Sequence, residues 1–135
     1  MNLAFRILFI KLLIISNVFI GFSQKLEYEL FGEGIFQIVG DNDTRIERKK
    51  HKQIEVFNNG KTIIVYRYWW ISENEYKMKV KKIINFSDKD ICMKKKDVII
   101  VSLSRITDTV FAYGVLSERC GLVSGAIEKI GSVPN

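Results

Sequence analysis

Residues 54–84 read IEVFNNGKTIIVYRYWWISENEYKMKVKKII. Asn59-Gly60 stands between two apolar runs, and a tight primed turn needs positive φ, which Asn and Gly supply at least cost. After Ser72-Glu73-Asn74, the residues Tyr76, Met78 and Val80 alternate with Lys77, Lys79 and Lys81. That is a period of two, with one face buried and one wet. In the strand between these turns, Thr62, Ile64, Tyr66, Tyr68 and Trp70 share one face. Ile63, Val65, Arg67, Trp69 and Ile71 share the other. Successive side chains of a strand alternate faces, so Trp69 and Trp70 cannot enter the same core. The stretch predicts a β-sheet protein.

The flanks repeat the pattern. Strands are expected over residues 35–39, 44–49 and 52–57 on one side, and over 97–104, 109–116 and 122–130 on the other. Residues 24–34 fit either a strand or a short helical turn. Residues 85–96 have no period and form the longest loop. Seven or eight short strands, with turn signals every 8–12 residues, make an antiparallel meander. The expected fold is all-β: a small barrel or strongly curved sheet, lipocalin-like. A barrel is favoured because closure removes exposed edges. An outer-membrane barrel needs strands of about 9–11 residues with apolar rows facing lipid, and the lysine row does not suit one.

The N-terminus has the order of an export signal: Arg6 and Lys11 with no acid before residue 12, an apolar run to Phe22, then small residues before Gln24. Residues 1–23 are therefore read as a signal peptide, and residues 24–135 as a single β domain. The other reading is an uncleaved membrane segment, against which Arg6, Lys11 and Asn17 count. No Cys stands at the cleavage point, so the chain is not expected to be a lipoprotein. Of 135 residues, 21 are Lys or Arg and 15 are Asp or Glu, a formal net charge of +6. Losing Arg6 and Lys11 lowers it by two, too little to argue for nucleic acid. Export implies an oxidising compartment, periplasmic, cell-surface or secreted, and makes Cys92 and Cys120 a candidate disulfide.

Catalytic signals are thin. The one histidine, His51, sits at a turn among Arg45, Arg48, Lys49, Lys50 and Lys52. That cluster reads as a solvated face. There is no G-x-S-x-G motif. Asp41-Asn42-Asp43 begins like a calcium loop but lacks the Gly and Glu that should follow. No enzyme activity, metal or cofactor is expected.

Gly34-Ile35-Phe36, Arg45 to Arg48, Gln53-Ile54-Glu55 and Trp70-Ile71-Ser72-Glu73-Asn74-Glu75-Tyr76 together resemble a loose family of small, uncharacterised exported bacterial β-proteins. That family carries a W-[IL]-S-x-x-E-Y hairpin signature. The resemblance implies a β fold and export, and it transfers no functional residue. Many members carry a lipidated Cys where this chain has Gln24.

The expected function is a non-catalytic binding module. Its candidate pocket residues are Tyr66, Tyr68, Trp69, Trp70 and Tyr76, because apolar walls with a few polar handles make small-ligand sites. The expected partner is a small apolar or amphipathic ligand or another exported or cell-surface protein, with no nucleic acid. Membrane contact is expected only through an uncleaved N-terminal segment. The alternative is a protein-interaction or inhibitor module using an exposed strand edge or the 85–96 loop.

Overall fold

The computed structural model describes residues 32–86 and 91–135. The expected signal segment and the opening of the mature chain lie outside them. Eight antiparallel strands follow in chain order: β1 (Gly34–Ile38), β2 (Arg45–Lys49), β3 (Lys52–Phe57), β4 (Thr62–Trp70), β5 (Glu75–Asn85), β6 (Val98–Arg105), β7 (Val110–Ser117) and β8 (Gly121–Gly131). Each pairs with the next, and β1 pairs with β8, closing the barrel. The all-β, lipocalin-like barrel expected from the sequence is the observed fold. Closure leaves no open sheet edge among these strands.

The Asn-Gly hairpin forms as the sequence predicts. Asn59 and Gly60 take φ of 53° and 79°, and the Lys61 amide donates to the Asn58 carbonyl at 3.1 Å. Positive φ at both central residues is the primed turn whose twist suits a hairpin. The turn sets the β3–β4 register at Phe57 opposite Thr62.

Alternation then decides what is buried. Ile64, Tyr66 and Tyr68 of β4 and Tyr76, Met78 and Val80 of β5 point into the barrel with Phe36, Ile99 and Leu103. Lys77 and Lys79 take the outer face. The alternation fails once in β5. Val65 pairs with Lys82 but Tyr66 with Val80, so Lys81 is the extra residue of a bulge. Lys81 and Lys82 are both exposed in consequence, and Ile83 comes opposite the buried Ile64.

One barrel end carries the β2–β3, β4–β5 and β6–β7 turns. The other carries the β1–β2, β3–β4 and β7–β8 turns and the β5–β6 connection. At this second end Cys92 and Cys120 are joined in a disulfide across 28 residues of chain. Beside it, Arg119 donates to Asp97 at 2.9 Å. That hydrogen bond holds the Asp97 carboxyl below the ordinary carboxylate range.

Candidate ligand site inside the barrel

β3 inverts the usual pattern of a half-buried strand. Its apolar Ile54 and Val56 point outward, and its polar Gln53 and Glu55 point inward. The register requires this: Gln53 faces the buried Tyr66, and Glu55 faces the buried Ile64. On β2, Ile46 and Arg48 point inward by the same alternation, and Arg48 faces Gln53. The barrel interior therefore holds a guanidinium, an amide and a carboxyl on two adjacent strands.

Arg48 is 1% exposed. Burying an ion costs several kcal/mol unless hydrogen bonds and countercharges offset it. Here its Nε donates to Gln53 Oε1 at 2.6 Å, and its Nη2 donates to the Tyr76 hydroxyl. The guanidinium also lies over three rings, 4.9 Å from the Phe36 centroid, 4.7 Å from Tyr76 and 5.9 Å from Tyr68. Ring faces attract a cation, more strongly where water is excluded. Nη1 has no hydrogen-bond partner among the described residues. A buried donor left unpaired costs about 1–3 kcal/mol.

Gln53 passes the chain of hydrogen bonds onward. Its Nε2 donates to Glu55 Oε1 at 2.7 Å, and the Tyr66 hydroxyl donates to Glu55 Oε2 at 3.2 Å. Burial pushes the Glu55 carboxyl above its ordinary pKa, against these two hydrogen bonds and the attraction of Arg48. Burial pushes the Tyr76 hydroxyl up to about 12, and Tyr66 higher still, with Glu55 adding to the rise of both. At neutral pH both tyrosines therefore keep their protons, and Tyr66 donates to Glu55. The Tyr76 oxygen accepts from Arg48, and no acceptor for its own hydrogen is found among the described residues.

These groups border a cavity of about 220 Å³. Arg48, Gln53 and Tyr76 stand at its floor, toward the end of the β2–β3 turn. Its walls are apolar: Ile46, Met78, Ile99, Val101, Val115 and Ile127. Cys92, Met93 and Cys120 border it at the disulfide end. There Met93 Sδ lies 3.1 Å from Cys120 Sγ and 3.8 Å from Ser117 Oγ. Gly121 and Val123 border the cavity and are also exposed, Val123 by 48%, so the cavity reaches solvent beside the disulfide. On the β7–β8 wall, Tyr113 lies over Gly125, where a Cβ would come within 2.6 Å of the Tyr113 hydroxyl. The missing side chain makes room for the ring.

Of the five residues expected to line a pocket, Tyr66 and Tyr76 border this cavity. Tyr68 is buried beneath Arg48 and donates to the Gly32 carbonyl at 3.1 Å. Trp70 points to the same side and packs edge-on against Tyr76, with centroids 5.1 Å apart, beyond the floor. Trp69 lies on the outer face opposite Lys77. No family model, curated protein or solved structure matches the chain.

Arg48 corrects the reading of the basic cluster as one solvated face. Arg45, Lys49, Lys50, His51 and Lys52 are exposed, and Arg48 alone turns inward. The signal was present in the spacing. Ile46 and Arg48 are two apart on a strand too short to bury anything else, and Gln53 and Glu55 keep the same phase against β4.

Proposed function

We propose that this chain is an exported, non-catalytic binding module that holds a small apolar or amphipathic ligand inside its barrel. The observation that carries the reading is the cavity: apolar walls, a polar floor fixed by hydrogen bonds, and access to solvent beside the disulfide. Small-molecule sites are concave and mostly apolar, with a few placed polar groups that fix orientation. At about 220 Å³ the space exceeds the roughly 150 Å³ that takes up benzene and falls short of the roughly 300–1,000 Å³ of drug-sized sites. A single ring, two fused rings or a short chain fits it. The Cys92–Cys120 disulfide supports an oxidising compartment, and with it export.

The test is titration of the full chain with a neutral naphthalene dye, followed by dye emission. Saturable enhancement with one site per chain, reversed by a small apolar competitor, is the expected result. Emission that rises without saturation, or not at all, would overturn the reading.

A further inference from the structure

We infer that the ligand's head is a carboxylate seated against Arg48, with its short apolar chain or single ring directed toward the disulfide end. This inference rests on the ligand-binding reading above and names the chemistry of its occupant. Three observations lead to it.

The first is the unpaired Arg48 Nη1, on a residue 1% exposed at the border of the cavity. Two of the three guanidinium nitrogens have partners, Gln53 and Tyr76. A guanidinium only donates, so the third nitrogen needs an acceptor, and anionic oxygen is the strongest one available to it.

The second is the Tyr76 hydroxyl. Its oxygen already accepts from Arg48, so its hydrogen is left to donate, and Tyr76 borders the same cavity. Two donors side by side match the two oxygens of a carboxylate.

The third is Gln53. It stands between Arg48 and Glu55 and bonds to both, so the protein's own carboxylate does not occupy the guanidinium. Glu55 also limits the charge a ligand can carry. A phosphate would bring up to two charges and more oxygens than these donors satisfy, close to a carboxyl already raised by burial. A monoanion with an apolar body fits both the floor and the walls.

The experiment displaces a bound neutral naphthalene dye from the full chain at neutral pH with three eight-carbon competitors: octanoate, octanol and octylamine. Octanoate is expected to displace the dye at a concentration at least tenfold below that of octanol, with octylamine weakest. Arg48→Met is expected to bring octanoate and octanol to the same concentration. If octanol matches octanoate on the unaltered chain, the carboxylate inference falls while the cavity reading stands. If the dye itself does not bind saturably, the cavity reading falls, and this inference falls with it. The competitor series on the unaltered chain decides the matter even where Arg48→Met fails to fold.

Discussion

Arg48 and Gln53 face each other across the β2–β3 hairpin, and the Gln53 amide bonds to both the guanidinium and the Glu55 carboxyl. A neutral side chain thus joins two ionisable groups that a direct ion pair would have consumed. Replacing it removes both bonds at once. Gln53→Leu leaves Arg48 Nε and Glu55 Oε1 unpaired inside the barrel. Hydrogen bonds to charged groups are worth about 1.5–3 kcal/mol each, so losing two should cost about 3–6 kcal/mol in urea unfolding. A loss under 0.5 kcal/mol, within the range of an ordinary surface change, would mean the network is not closed.

Glu55 predicts a pH dependence of stability. Its carboxyl is raised by burial from an ordinary value of 4.5. Between that value and the higher folded one, the folded chain keeps a proton that the unfolded chain has released. The unfolded state then binds fewer protons, so stability falls as pH rises across the window and is greatest below it. Glu55→Gln removes this titration and should flatten the profile of unfolding free energy from pH 4.5 upward. A profile as steep as that of the unaltered chain would assign the slope to other groups.

The sequence carried the strands, their faces and the closing of the sheet, because hydrophobic alternation and turn chemistry are local. Tyr66, Tyr68 and Trp70 share a face for the same reason that Tyr76, Met78 and Val80 do. The site was harder to read because it breaks those rules. In β3 the inward residues are Gln53 and Glu55, and the apolar Ile54 and Val56 look outward, so hydropathy alone assigns the strand to the wrong face. Arg48 was hidden inside a run of exposed cations. Only its phase with Ile46 on β2 and its register opposite Gln53 of β3 separate it from them. The Lys81 bulge likewise has no local signature, since both residues at the break are lysines. Real chains break local rules most often where they do something, and on the ligand-binding reading proposed above the polar floor of this cavity is such a place.

The disulfide links the connection between β5 and β6 to the β7–β8 turn at the cavity's open end. Closing a loop of 28 residues restricts the unfolded chain and should contribute about 3–4 kcal/mol in the chain-entropy model. Thermal unfolding with and without reductant measures it, with a Cys92→Ser, Cys120→Ser double variant as the non-reducible control. The reduced chain and the double variant should agree, each with a midpoint several degrees below that of the oxidised chain. An unchanged midpoint would show that the bridge adds nothing to the folded state's advantage.

Gly125 tests the wall without touching a polar group. A methyl there would meet the Tyr113 ring, with the hydroxyl at 2.6 Å and a ring carbon at 2.9 Å. Such distances force the ring to move, and Tyr113 borders the cavity. Gly125→Ala should therefore weaken binding of a neutral dye severalfold while leaving far-ultraviolet circular dichroism unchanged. Gly114, on the neighbouring strand, has nothing within 4 Å of its would-be Cβ, so Gly114→Ala is the matched control and should bind the dye normally.

The two tryptophans should report ligand differently. Trp70 packs edge-on against Tyr76, which borders the cavity floor, whereas Trp69 stands on the outer face opposite Lys77. A ligand that engages the Tyr76 hydroxyl shifts that ring's surroundings and reaches Trp70 through one contact. Trp69→Phe should keep the change in tryptophan emission on ligand addition, and Trp70→Phe should abolish it. Trp70→Phe also shortens the side chain that lies against Gly32, where the indole Nε1 is 3.5 Å from the glycine's would-be Cβ. A modest loss of stability is therefore expected there and not at Trp69. If Trp69 carried the whole emission change instead, the ligand would have to sit on the outside of the barrel, and the cavity could not be its site.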